Sequence, residues 1–338
     1  MKVRTISVLA AAAAVGMAAR LPAANPPSRY KITGPFTHDN LSVYLIHGPA
    51  TLAKNLLTLE QAISEKNVIV YETRDVNQLT VENVSNQDVF IESGDIVQGG
   101  AQDRTFQDDL ILPSHSGKVD ISAFCVEHGR WTQRGTEPVR TFGSASQAVA
   151  TKELKMAVRL REDQGEVWRQ VAAAQARLSS AMNLEARAAP SPTSLPLTMQ
   201  THAVERSIDG YLQELAGAPN HQPAHQDDVI GYAFVIDGKV NSADVYGSHD
   251  LFSKLWMKLL RASAVEAVSQ YKAGQKYPAG TVADIQALLA DADSAQPAVR
   301  DLSPRTQVIT HETAKTVKFE TRDRGEKNAV VHRNYLTK

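Results

Sequence analysis

The sequence predicts an α+β fold: an N-terminal antiparallel β-sandwich or partly open barrel, central helices, and a C-terminal β-hairpin and helix with further strands. Three observations carry this. The first half breaks into short apolar-alternating runs set about 8 to 12 residues apart, the rhythm of antiparallel sheets. The middle switches to helical spacing, with Val167, Trp168, Val171, Ala174, Leu178 and Met182 on one face. The last third holds Asp237-Gly238 between two strand-like runs, the pair that a type I′ hairpin turn favours.

In chain order, residues 30–49 alternate at Leu41, Val43 and Leu45 and end at Gly48-Pro49, a strand and a turn. Thr58 to Ile63 is a short helix, with Thr58 as N-cap and Gln61 completing a capping box. Strands follow at 68–72, 79–84, 89–92, 96–97, 110–112 and 119–126. The β-rich part thus spans about 30–145, and a mixed helical and hairpin part about 146–336, together one domain from residue 25. Residues 146–161 read as helix, with their β-branched members leaving a strand open, and Gln164-Gly165 as the break. Prolines 190, 192 and 196 mark a loop, and 204–215 another helix. Beyond the hairpin, Ser248 caps a helix in which Leu251, Leu255 and Leu259 run beside Phe252, Trp256 and Leu260. These i, i+4 ridges require deep burial. A short helix at 283–289 and strands at 305–320 and 329–336 complete the chain.

The first residues read as a targeting segment. Lys2 and Arg4 precede the apolar, alanine-rich run 6–19, too short for the roughly 20 residues of a spanning helix. Small residues at 16–18 and 23–24 suit cleavage, so 1–24 is expected to be a signal peptide, with export to the periplasm or outside the cell. Cutting after Ala24 lowers Lys plus Arg from 36 to 33 against 37 acidic residues, a mature charge of −4. The near-neutral balance of the whole chain, −1, gives no bulk electrostatic case for nucleic acid. No later run is apolar for long enough to insert stably in a membrane. Cys125 is the single cysteine, so no intramolecular disulfide forms. It follows Val119, Ile121 and Ala123 on the inner face of a strand, which predicts a buried filler rather than a nucleophile.

No P-loop, GxGxxG, GxSxG or HExxH occurs, and no cofactor or metal is expected. His221 and His225 flank Pro223, which favours a solvated loop over a metal site. The polar concentration lies between Glu92 and Trp131. Gln98, Gln102, Arg104, Arg130 and Trp131 are the candidate ligand-binding residues, because guanidinium forks suit phosphate or carboxylate and an indole suits a sugar or nucleoside. Glu127 and Asp103 are the candidate general bases, or else internal partners of the arginines. A hairpin near 114–117 would place Arg104 opposite Glu127 and Gln102 opposite Gly129. Gly99-Gly100 reads as a bulge or turn.

Four runs, QGGAQDR, LILP, CVEHGRW and QGEVW, with the later GYAFVIDGKVNSADVYGSHDLFSKLWMKLLRASAVEAV, carry a resemblance. Together they resemble the domain family named for its association with ADP-ribosylglycohydrolases and rhodanese-phosphatases, over about 30–336. The matching positions are Gly99, Gly100, Gln102, Arg104, Cys125, Glu127, Arg130, Trp131, Gln164 and Trp168. The resemblance implies a neighbourhood link to ADP-ribose metabolism and transfers no catalytic residue. Two functions stay open: an exported module binding a small phosphorylated or sugar ligand or a partner, and a hydrolase of ADP-ribose or a related phosphorylated glycoside. The sequence sets no oligomeric state.

Overall fold

The computed structural model describes residues 29–221 and 228–338, and among them the strands form three sheets. The largest is antiparallel throughout. It runs β1 (Lys31–His38), β2 (Leu41–His47), β12 (Val229–Ile236), β13 (Lys239–Tyr246), β17 (Ala329–Thr337), β16 (Thr316–Asp323), β15 (Thr306–Glu312) and β14 (Pro297–Asp301). Two expected single strands are in fact hairpins, at 30–49 and 305–320. Neither turn carries a Gly-Pro signal; the first pivots on Asp39, whose φ of 46° an acidic residue tolerates. The Asp237-Gly238 hairpin forms as expected, with φ values of 54° and 78°.

Both faces of this sheet are covered, and that decides the chemistry below. One face packs Ala233, Val235, Ala243 and Val245 against Ile285, Leu288, Leu289 and Ala292 of α7 (Val282–Asp293). The other packs Tyr232, Phe234 and Tyr246 against Leu251, Phe252, Leu255, Trp256 and Leu259 of α6 (His249–Gln270). Ser248 caps α6 through Leu251 N, as its sequence position requires. Strand β2 is buried along its whole length, and apart from Ser42 and His47 its residues are apolar or aromatic on both faces.

The second sheet has the order β11 (Phe142–Val149), β7 (Asp95–Gly99), β8 (Arg104–Phe106), β10 (Gly117–Cys125), β5 (Gln78–Asn83) and β4 (Val68–Glu72). A bridge between Tyr71 and Thr141, with Glu72 N donating to Arg140 O, draws its edges together into a nearly closed barrel. Val70, Leu79, Val81, Val97, Phe106, Ile121 and Ala123 fill it. A third sheet joins β3 (Leu57–Thr58), β6 (Val89–Ile91) and β9 (Leu110–Leu112), and the capping box of Thr58 and Gln61 starts α1 (Leu59–Ser64).

Residues 146–161 differ from the helical expectation. The β-branched stretch ends strand β11; the helix α2 (Lys152–Met156) starts only after Thr151 and continues as a π-helical turn, Ala157–Arg161. The break falls at Glu162, left-handed at φ 51°, so Gln164 and Gly165 open the next helix, α3 (Gln164–Met182), behind Asp163 as N-cap. Helices α4 (Leu195–Met199) and α5 (His202–Leu215) follow. No helix among the described residues is long and apolar enough to cross a membrane.

Candidate functional site

The expected site residues sit at one end of the barrel, on the β7–β8 turn and the segment after β10. The turn needs its glycines: Gly99 and Gly100 have φ of 122° and 52°, and a Cβ on Gly100 would lie 2.3 Å from the Phe142 ring. Their carbonyls then face Arg130, which donates to Gly99 O and Gly100 O, both at 3.0 Å. The same guanidinium spans Glu127, with Nε 2.8 Å from each carboxylate oxygen. Arg134, which the sequence reading passed over, completes the arrangement. It forks onto Asp103 at 2.9 and 3.0 Å and reaches Glu127 at 3.0 Å. Ser191 donates to Glu127 and Ser194 to Asp103, the latter at 2.6 Å, so the proline loop before α4 closes the network.

Both carboxylates are fully committed. Burial alone would raise the pKa of Glu127, but hydrogen bonds from Arg130 and Ser191 outweigh it and hold the group below its ordinary value. Burial leaves Asp103 raised despite the Arg134 fork. Gln98 bridges Glu137 at 2.8 Å and Gln200 at 3.1 Å. Trp131 stands apart: it is 51% exposed on the loop that these contacts pin.

Arg104 does not meet Glu127. Strands β8 and β10 pair Arg104 with Cys125, two residues off the expected register, so Gln102 is likewise not opposite Gly129. The reason is β9: it leaves to pair with β6 and does not fold back on β10, so no tight turn at 114–117 sets the register. Arg104 is fully buried beneath the network. It donates to Gln102 at 3.3 Å and to the Cys125 sulfur, with Glu72 at 3.5 Å. Cys125 is buried as expected, and burial pushes its thiol up to about 11. Gln164 clamps the Cys125 backbone from both sides, accepting from N at 2.8 Å and donating to O at 2.9 Å. Trp168, on the apolar-spaced face of α3, is only part-buried, edge-on to His128 at 4.4 Å; Trp256 is core.

A second polar centre lies where α6 and the barrel cover the large sheet, and the sequence reading missed it. On β13 and β17, Asp244 pairs with Asn334 and Tyr246 with His332, all on one face. His332 is bridged at both nitrogens, Nδ1 to Asp109 at 2.9 Å and Nε2 to Asp244 at 3.1 Å. Burial works against its charge, yet Asp109 and Asp244 more than offset that and raise its pKa to about 9. Tyr246 stacks on the imidazole at 4.5 Å and donates to Glu92 at 3.1 Å. Lys155 of α2 stands 3.5 Å from Glu92, and Lys258 of α6 pairs with Asp95. Among the described residues, one group of metal-ligating side chains converges: Glu92, Asp244 and His332, with ligand atoms within 4.8 Å of one another. Periodicity could have flagged it, since Ser242, Asp244 and Tyr246 alternate with buried apolar residues on a strand covered on both faces. Of the expected solvated loop, His225 and Asp227 lie outside the described residues, and Asp228 binds His47 at 2.6 Å.

A half-open cleft of about 250 Å³ lies between α3 and α6, lined by Thr151, Glu153, Arg177, Glu266 and Gln270. Glu266 also borders an inner cavity of about 20 Å³, shared with Lys155, Asp244 and Asn334. Burial first, and Glu153 next, raise the Glu266 pKa to about 7.

Comparison with curated proteins and with solved structures returned no match. A family model matches residues 29–336 of the 338. The chain belongs to the family of the ARG and Rhodanese-Phosphatase-superfamily-associated Protein domain.

Proposed function

We propose that the protein is an exported, non-catalytic binding protein that recognises a sugar- or nucleoside-bearing ligand at the barrel end formed by 98–104 and 127–131. The observation that carries this is Trp131, half exposed on a loop held from beneath by two saturated arginines. A rigidly held, solvent-facing indole offers a stacking platform at little ordering cost. The guanidiniums of Arg130 and Arg134 spend their donors on Glu127, Asp103 and backbone carbonyls, so recognition of a phosphate through them is secondary. The same saturation supports binding over hydrolysis. A general base needs a lone pair free to reach a water and a pKa suited to the task, whereas Glu127 accepts from two arginines and Ser191, and its pKa is depressed.

The test is tryptophan fluorescence and thermal shift with ADP-ribose, adenosine and disaccharides. A binding ligand raises the melting temperature, and Trp131→Ala removes that response while changing unliganded stability by less than about 0.5 kcal/mol, as for an exposed side chain. Turnover of any of these compounds, lost in Glu127→Gln, would replace the binding reading with the hydrolase. Export rests on Lys2, Arg4 and the apolar run; an N-terminus between Ala19 and Asn25 in native protein is expected, and intact Met1 in a soluble cytoplasmic fraction would end it.

A further inference from the structure

We infer that Glu92, Asp244 and His332 form a binding site for one divalent first-row cation, of the zinc or manganese type, inside the fold. The three residues come from distant parts of the chain, yet their ligand atoms lie within 4.8 Å of one another. One imidazole nitrogen with two carboxylates is a donor set that such ions accept.

Two buried acceptors lack hydrogen-bond partners, and the one on Asn334 is independent of the acidic cluster. Glu92 is fully buried, and its Oε2 has no hydrogen-bond partner, with Lys258 Nζ 4.0 Å away. Asn334, 1% exposed, donates to Asp244 at 2.7 Å, while its Oδ1 also has no partner. Buried acceptors of this kind are costly unless something satisfies them. Asn334 and Asp244 both border the inner cavity of about 20 Å³, room for about one water on the Asp244 side of the site.

The surroundings match what metal-bound histidines need. The Nδ1 of His332 faces Asp109 at 2.9 Å, and Asp109 is itself fixed by Ser93 N at 2.8 Å and Thr321 Oγ1 at 2.7 Å. That is the carboxylate–histidine support that orients a ligating ring and raises its basicity. Nε2, on the Asp244 side, is then the ligating atom, and the ion takes the place of the proton between them. The stacked Tyr246 ring and the edge of Phe90 hold the imidazole plane.

The experiment uses the full chain, stripped with a chelator, dialysed, and titrated with ZnCl₂ and MnCl₂. Elemental analysis should find a single ion per chain, and the melting temperature should rise as free ion exceeds its Kd. The decisive readout needs no variant: on adding zinc, the Nε2 resonance of His332 shifts in histidine-labelled protein. Asp244→Asn and His332→Gln should weaken binding at least about tenfold, and Asp109→Asn, which removes the positioning group, roughly 10- to 100-fold. Failure to retain any ion, or retention with an unchanged His332 resonance, would overturn the site. If the variants do not fold, the resonance alone decides.

Discussion

The barrel end and the covered face of the large sheet both concentrate charge, and they differ in what is left over. At the barrel end, Arg130 and Arg134 distribute their donors over Glu127, Asp103, Glu137 and three backbone carbonyls. At the covered face, Glu92 and Asn334 keep acceptors without a hydrogen-bond partner. The arginine–carboxylate pairs fix geometry, and the groups left over beneath them, Gln102 Nε2 and Arg104 Nε, are donors, whereas acceptors left over suit a cation. The two centres therefore argue for different roles, although residue types alone would rank the arginine-rich one first.

The sharpest way to break this contrast is to remove the carboxylate that both barrel-end arginines share. Glu127→Ala strands two nearly buried guanidiniums and the Ser191 hydroxyl. Breaking a buried pair from one side costs about 3–5 kcal/mol, so the urea midpoint should fall accordingly. A cost under about 1 kcal/mol, the value of an exposed pair, would mean that the loop is not pinned and that Trp131 is not held rigid.

The second effect separates the cleft from both centres. Glu266 has a folded pKa of about 7 against an ordinary 4.5. Between those values the folded chain keeps a proton that the unfolded chain releases. Its contribution to stability is therefore full below pH 4.5 and is lost as pH rises through 7. At about 1.4 kcal/mol per pKa unit the loss is about 3 kcal/mol. His332, raised to about 9 from 6.5, loses stability in the same direction but over the window above it. Denaturation from pH 5 to 8 should show Glu266→Gln, which cannot ionise, with a flatter profile than the parent and greater stability at pH 8. Parallel profiles would show that Glu266 titrates normally and is open to solvent.

The contrast also explains what the sequence made legible. The barrel-end residues fall within 98–137, on turns marked by Gly99-Gly100 and by charged types that seldom sit inside unless paired. Their pairing was harder. The Arg104–Glu127 register failed by two residues because β9 departs to another sheet, a tertiary choice that no local turn signal records. Arg134 went unseen for the same reason: a lone arginine in a polar loop looks solvated until Asp103 is folded over it. The covered face left only a weak periodic signal. Asp244 and His332 alternate along strands as outward residues would, and it takes α6 together with Asp109, from a distant part of the chain, to turn that face into interior. The Thr58 capping box and the Asp237-Gly238 turn were legible because their physics lies within four residues.

The smallest effect concerns Cys125, which lies beneath the arginine–carboxylate network and touches Arg104, one of the groups there with an unpartnered donor. Arg104 is fully buried, its Nε has no partner, and one Nη donates to the Cys125 sulfur. A cysteine that only fills space should cost roughly 1–2 kcal/mol on truncation to alanine, as for loss of a small core group. It should also tolerate serine worse than alanine, because a buried hydroxyl without a partner is penalised. A cysteine that serves as an acceptor for the guanidinium behaves in the opposite order, because a hydroxyl oxygen accepts from a cation more strongly than sulfur does. The geometry here predicts the second order: Cys125→Ala costs about 1–2 kcal/mol and Cys125→Ser less. Native protein should resist thiol reagents at pH 8, since burial raises the thiol to about 11 and the thiolate is the reactive form. If serine proves the worse substitution, Arg104 draws nothing from position 125, and its only charged partner at the barrel end is Glu72, 3.5 Å away.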